Sequence, residues 1–227
     1  MRQATVVFDF DSTLVPRESF TSWVEERFRD QPDKAAQARA WTQKGMAGEV
    51  PFQEALEAKL RLAAPSRSDL AALGEQCARE LDPALRAWVG ELARRGLELH
   101  ILSGGFALSI LPSARILGIP EDRVHAVEAR FDRAGRFLGF PPGEGYHCSK
   151  VAGMRKSGLR FPSPSLLIGD GATDRAVWEA GLVDHFIAFT LYARRPEILR
   201  GDCPEAPDLP SLQALVQDLL AQKDPRP

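Results

Sequence analysis

The stretch Thr5-Val6-Val7-Phe8-Asp9-Phe10-Asp11-Ser12-Thr13 decides the fold, because an apolar run with β character ends in two carboxylates spaced two residues apart. Alternation along a strand sends Asp9 and Asp11 to one side and turns Phe10 away into the core. Two anions that close raise each other's pKa unless a cation neutralises them, and packing alone gives no reason to build such a pair. Oxygen ligands of this kind suit a divalent metal, and the natural chemistry beside such a metal is on a phosphate. Asp and Ser are also ordinary cap and turn residues at a strand end, so these residues alone leave capping and catalysis both open.

Outward from this strand the periodicity changes. Apolar residues at three and four spacing predict helices over Glu18–Phe28, Lys34–Lys44, Phe52–Leu62 and Ser68–Glu80, punctuated by Pro32, Gly45, Gly48, Pro51 and Pro65. From Pro83 a β-α-β rhythm begins, with a helix to Arg95, Gly96 as its stop and a strand over Leu97–Leu102. A helix over Gly105–Leu117 carries Pro112 as a kink, and Val124–Phe140 reads as a hairpin turning at Asp132–Gly135. Leu166–Ile168 is a strand, Asp174–Gly181 a helix and Phe186–Phe189 another strand, while Lys223–Pro227 is expected to fray. The expected architecture is α/β: a doubly wound, Rossmann-like parallel sheet from residues 1–15 and 80–227, with a helical unit, 16–79, inserted after the first strand.

Composition narrows the classes. The chain has 227 residues and 44% hydrophobic content, enough for a sizeable core. Lys and Arg total 29 against 31 for Asp and Glu, which gives no positive surface for nucleic acid. No apolar run is long enough to span a bilayer, and the chain enters a strand almost at once, so no membrane partner and no signal segment are expected. Cys77, Cys148 and Cys203 lack the paired spacing of a zinc or redox motif, and they suit a reducing, cytoplasmic compartment. The sequence leaves the oligomeric state open.

In a doubly wound sheet, ligands bind at the carboxyl ends of the strands, and the suggestive residues cluster there. Leu97–Leu102 runs into Ser103-Gly104-Gly105-Phe106, where glycines let the backbone approach an anion and the Ser103 hydroxyl adds a donor. Leu166–Ile168 runs into Gly169-Asp170-Gly171-Ala172-Thr173-Asp174, whose carboxylates beside Asp9 and Asp11 would complete an oxygen site for Mg²⁺. Ser149-Lys150 opens a helical stretch between them.

In this order and spacing the four segments resemble the signature motifs of the haloacid dehalogenase superfamily, and within it the phosphoserine phosphatases. The resemblance spans nearly the whole chain and makes the inserted helices a small C1-type cap. It implies an Mg²⁺-dependent phosphomonoesterase acting on a small phosphate ester. On that reading Asp9 is the nucleophile, forming an aspartyl-phosphate, and Asp11 is the acid and base. Asp9, the Asp11 carbonyl and Asp170 hold the metal. Ser103, the Gly105 N–H and Lys150 bind the phosphoryl oxygens, Gly104 and Thr173 are among the substrate-binding positions, and Asp174 orders metal-bound water or Lys150. In the cap, Glu18 meets a substrate ammonium, and Met46 and Phe52 close over it. Lys59 departs from the pattern, for the family carries an arginine there to grip a carboxylate, and lysine lacks the planar fork. Lys59 therefore keeps open another small ester such as phosphoethanolamine, or phosphate transfer to an acceptor alcohol. A catalytically silent protein that binds phosphate or metal is the alternative of a different class.

Overall fold

The computed structural model describes residues 4–201 and 203–221. The tail expected at Lys223–Pro227 lies outside the described residues.

Strand β1 (Thr5–Phe8) is buried at all four positions, as a central parallel strand must be, because helices cover both faces. It pairs on one side with β2 (Glu98–Phe106) and on the other with β6 (Ser165–Gly169), with Phe8 opposite Ile101 and Ile168. Beyond β2 lies β3 (Val124–Val127), and beyond β6 lie β7 (His185–Phe189) and β8 (Glu205–Ala206), all parallel. The order β3-β2-β1-β6-β7-β8 runs outward from β1 in both directions, so the switch point that favours ligands is at β1. The expected hairpin divides. β3 is the edge of the main sheet, and only β4 (Arg130–Phe131) and β5 (Phe137–Gly139) pair antiparallel, turning where Asp132 Oδ1 accepts the N–H groups of Ala134 and Arg136. β8 and α9 (Leu209–Ala221) extend the alternation beyond the last expected strand.

Four helices follow β1: α1 (Ser19–Arg27), α2 (Pro32–Ala47), α3 (Phe52–Leu62) and α4 (Arg67–Arg79). α4 starts at a capping box between Ser66 and Asp69 and packs on α6 (Ala107–Leu117). At the crossing Gly74 has no room for a Cβ, which would fall 2.9 Å from Pro112 Cγ and 3.1 Å from the Leu108 carbonyl. Pro112 thus sits within a continuous α6, and α4, grouped by the sequence with residues 16–79, lies against the sheet layer.

The helices of the sheet layer show why the rhythm was readable. In α5 (Pro83–Arg94) the buried residues Leu85, Trp88, Val89 and Leu92 form one stripe. Asp82 Oδ1 caps its start by accepting from Ala84 N at 2.8 Å and Leu85 N at 2.9 Å, Pro83 takes the first position, and Gly96 follows with φ +82°. α7 (Lys150–Ser157) is capped by Ser149 Oγ, which accepts from Ala152 N at 3.0 Å, and α8 (Ala172–Glu179) starts one residue after Gly171. No helix among the described residues is long and apolar enough to cross a membrane.

Candidate active site

The parallel register carries Asp9 one step past the end of β1, where its N–H donates to the Ile168 carbonyl at 2.8 Å. The Asp9 side chain turns back so that Oδ1 accepts the Phe10 N–H at 2.7 Å, and Phe10 is wholly buried on the other side. The chain then bends at Ser12, the only residue other than glycine with positive φ among the described residues (54°). Its hydroxyl donates to Glu18 Oε1 at 3.0 Å, which ties the loop to the first turn of α1. Asp11 Oδ1 accepts the Ser19 N–H at 3.1 Å. Burial first, then the charges of Glu18 and Asp9, push the Asp11 carboxyl up to about 7.

Lys150, at the start of α7, reaches across to this end of β1. Its Nζ lies 2.6 Å from Asp9 Oδ1 and 2.5 Å from Asp174 Oδ1, with only 3% of the side chain exposed. Burial opposes the ammonium, but Asp174 and Asp9 outweigh it and raise its pKa. The other Asp174 oxygen accepts the Gly171 N–H at 3.1 Å. Gly169 is required here because a Cβ on it would stand 2.4 Å from Asp174 Cγ, so the carboxylate lies flat on the end of β6.

Asp9, Asp170 and Asp174, all buried, offer carboxylate oxygens within 4.8 Å of one another. Asp9 and Asp174 share one ammonium, and the imbalance is visible: burial and Asp9 push Asp174 up to about 7 in spite of Lys150. Asp170 Oδ2 faces the Arg195 guanidinium, so three carboxylates meet two cations. Hard oxygen donors with uncompensated negative charge fit a divalent cation. Asp11 contributes no carboxylate to this cluster, so any share it has in a metal site falls to its backbone.

On the far side, β2 delivers Ser103, Gly104 and Gly105. Gly105 N–H, expected to face a phosphoryl oxygen, donates instead to Ser103 Oγ at 3.0 Å. Phe52 from α3 lies over Gly104, and Met46 from α2 lies over Gly171, each so close that a Cβ on the glycine would meet it at about 2.6 Å and 2.5 Å respectively. α1, α2 and α3 thereby close the strand ends into a cavity of about 40 Å³. Asp9, Asp11, Ser103, Gly104, Gly105, Lys150 and Thr173 line it from the sheet side, and Glu18, Met46, Phe52 and Lys59 line it from the helices. Every catalytic and substrate-contacting position expected from the sequence therefore faces one space, with Asp170 and Asp174 behind it.

Two features went unread in the sequence. Lys59 is buried, and its Nζ donates to Thr42 Oγ1 at 3.0 Å and Thr21 Oγ1 at 3.2 Å, hydroxyls that themselves lie 2.5 Å apart. Burial lowers its pKa, while Glu18 and Asp11 draw it back up. Arg195, in the loop after β7, donates from Nη2 to Glu18 Oε1 at 2.9 Å and from Nη1 to the Asp170 carbonyl at 3.2 Å, and it also contacts Asp170 Oδ2. The strand-end rule that singled out Ser103 and Asp170 also applies to β7, and would have pointed to this loop.

A family model described as haloacid dehalogenase-like hydrolase matches residues 6–179. The chain is 35% identical over 189 residues to the chloroplastic phosphoserine phosphatase of Arabidopsis thaliana, covering 81% of this chain and 62% of that protein's length. It is 32% identical over 188 residues to the phosphoserine phosphatase of Rattus norvegicus, covering 81% of this chain and 80% of the relative. A crystal structure of a phosphoserine phosphohydrolase-like protein from Francisella tularensis superposes with a TM-score of 0.88 at 29% identity, over 95% of this chain and 100% of that one.

Proposed function

Because the chain belongs to the haloacid dehalogenase-like hydrolases, we propose that its cavity hydrolyses a small phosphate monoester, O-phosphoserine first, through a phosphorylated Asp9. The observation that carries this reading is the grouping of Asp9 with Lys150, Ser103 and Asp11 around one small closed space. Phosphate-monoester hydrolysis is among the slowest uncatalysed reactions, and a site dense in fixed charge is proportionate to it.

Asp9 Oδ1 is held by the Phe10 N–H and by Lys150, which leaves Oδ2 to attack phosphorus. Asp11 has a carboxyl that keeps its proton near neutrality and lies on the substrate side of the cavity. It gives that proton to the departing serine hydroxyl, then takes one from the water that cleaves the aspartyl-phosphate. An entering phosphoryl oxygen takes the place of Ser103 Oγ as acceptor for the Gly105 N–H, and the Ser103 hydroxyl and the Lys150 ammonium donate beside it. Asp9, Asp170 and the Asp11 backbone would hold Mg²⁺, whose charge would offset the repulsion between the phosphate and the carboxylates. Asp174 positions Lys150 and the Gly171 turn.

The proposed cap comprises α1–α3, with α4 assigned to the core because it packs on α6. Within it, Glu18 and Lys59 present opposite charges to the same cavity, which suits an ester bearing both an ammonium and a carboxylate. The assignment to serine biosynthesis in the cytoplasm follows from that substrate and from three unpaired cysteines.

Release of phosphate from phosphoserine with Mg²⁺ present tests the reading. Asp9→Asn is expected to lower kcat by roughly four orders of magnitude or more. Turnover retained by Asp9→Asn overturns the nucleophile, and a kcat/KM for phosphoethanolamine above that for phosphoserine overturns the substrate.

A further inference from the structure

The loop that leads into α7 carries a second reactive cluster, outside the cavity. The Glu144 side chain is 3% exposed, and its two oxygens accept the N–H groups of Tyr146 at 2.6 Å and His147 at 3.1 Å. The second oxygen also contacts His147 Nδ1. A carboxylate can only accept, so Nδ1 carries a proton, and in the neutral imidazole Nε2 presents a lone pair. That nitrogen lies 3.3 Å from Cys148 Sγ. Phe140 stacks on the imidazole with ring centres 4.3 Å and planes 11° apart, which fixes the ring's orientation. A carboxylate that orients a base, and a base aimed at a thiol, are the parts that activate a sulfur nucleophile.

The other two cysteines lack these parts. Cys77 is fully buried and burial pushes its thiol up to about 12; burial also raises Cys203, whose thiol donates to the Pro204 carbonyl at 3.7 Å. Cys148 is half-buried and stands two residues before Lys150.

The segment between them has no slack. Cys148 N–H donates to the Gly145 carbonyl at 3.0 Å, and a Cβ on Gly145 would meet the Ala152 carbonyl at 2.9 Å and Gly153 Cα at 3.0 Å. A group attached to the Cys148 sulfur therefore bears on a pinned segment two residues before Lys150, the ammonium that holds Asp9 and Asp174.

We propose that Cys148 is a thiol–disulfide exchange site for small disulfides of the glutathione type, and that the mixed disulfide switches off the Lys150 end of the phosphate site. His147 Nε2 takes the thiol proton, the Cys148 sulfur attacks one sulfur of the disulfide, and a new S–S bond forms as the old one breaks. The departing thiolate takes up the proton, so Cys148 is oxidised while half of the incoming disulfide is reduced to a thiol. The effect on activity rests on the hydrolase reading above; the exchange itself does not.

Oxidised glutathione, added to the full-length protein at pH 7 and followed by intact mass and peptide mapping, tests both parts. One adduct is expected, at Cys148, forming about tenfold or more faster than on free cysteine, with Cys77 and Cys203 silent. His147→Asn is expected to remove most of that acceleration. Phosphoserine turnover should fall as the adduct forms and return with dithiothreitol, and Cys148→Ser should keep its activity throughout. Labelling no faster than free cysteine, or equally fast in His147→Asn, overturns the exchange site. Full labelling with unchanged kcat overturns the coupling to Lys150. If the unmodified protein hydrolyses no phosphate ester, the hydrolase reading fails, and the labelling rates still decide the thiol site.

Discussion

The two walls of the cavity are built by different means. On the sheet side, Asp9, Ser103, Lys150, Asp170 and Asp174 are each 3% exposed or less, and their places follow from parallel register and backbone hydrogen bonds at strand ends. On the helical side the buried ion Lys59 is held by two hydroxyls, and Met46 and Phe52 lie on glycines of the strand ends. A wall fixed by register can hold charges to within tenths of an ångström; a wall of side-chain tips can shift without unfolding the sheet. Chemistry should therefore reside in the first wall and choice of ester in the second.

Removing Lys150 is the strongest way to break that division. Lys150→Met leaves Asp9 and Asp174 buried without their ammonium, which costs about 3–5 kcal/mol of stability for a broken buried pair. It should also lower kcat by roughly a thousandfold on every ester tried, because the phosphoryl group is common to all. Thermal melting and a panel of esters check both effects, and a loss confined to phosphoserine would show that the sheet wall also selects.

Lys59→Met is the converse. Loss of a charged hydrogen bond to a substrate carboxylate should lower kcat/KM for phosphoserine by about 10- to 100-fold. Phosphoethanolamine, which has no carboxylate, should change by less than about threefold. Thr42→Val, which leaves Lys59 with Thr21 as its one hydroxyl partner, should move KM for phosphoserine only a few-fold and leave kcat alone. Equal losses on the two esters would remove Lys59 from selection.

The same division explains what was legible in the sequence. Asp9, Ser103, Lys150, Asp170 and Asp174 could be read because a strand, a glycine turn and a helix start leave local signatures, and the strand-end rule then gathers distant segments. The convergence of Thr21, Thr42 and Lys59 could not, since it depends on how α1, α2 and α3 cross, which no spacing within one helix records. Arg195 was hidden for a milder reason, at the end of an irregular stretch, 190–195, with no glycine or carboxylate to flag it. α4 has the periodicity of its three predecessors and differs in its main partner, α6, so its packing there is a tertiary fact. β3 was folded into a hairpin for a similar reason. Its pairing with β2 is non-local, whereas the turn at Asp132–Gly135 is written in four residues.

The smallest effect expected is also the one that separates the site from the rest of the fold. Asp11 and Asp174 are held near 7 against an ordinary 3.8, so the folded protein keeps protons that the unfolded chain loses as pH rises above 3.8. Their contribution to stability is complete below 3.8 and is lost as pH climbs through about 7. His125 has the opposite sign. It lies on β3 against His100 and the edge of Phe161, with Asp122 nearby and Glu98 and Arg123 on the far side of His100. Burial, then His100, lower it to about 4 from 6.5, so stability is lost as pH falls from 6.5 toward 4, where the unfolded chain takes up a proton that the folded one refuses. Two carboxylates outweigh one imidazole, so from these groups the metal-free protein should lose a few degrees of Tm as pH rises from about 4 to about 7 and change little above that. Excess Mg²⁺ takes the place of the proton on the Asp174 cluster and should raise Tm at about pH 7 and above while leaving it unchanged near about pH 4. His125→Gln removes the opposing group and should steepen the fall between about pH 4 and 6.5. If Mg²⁺ raises Tm equally at both ends of the pH range, the loss does not come from the carboxylates that face Asp9, and the cavity is not where the metal binds.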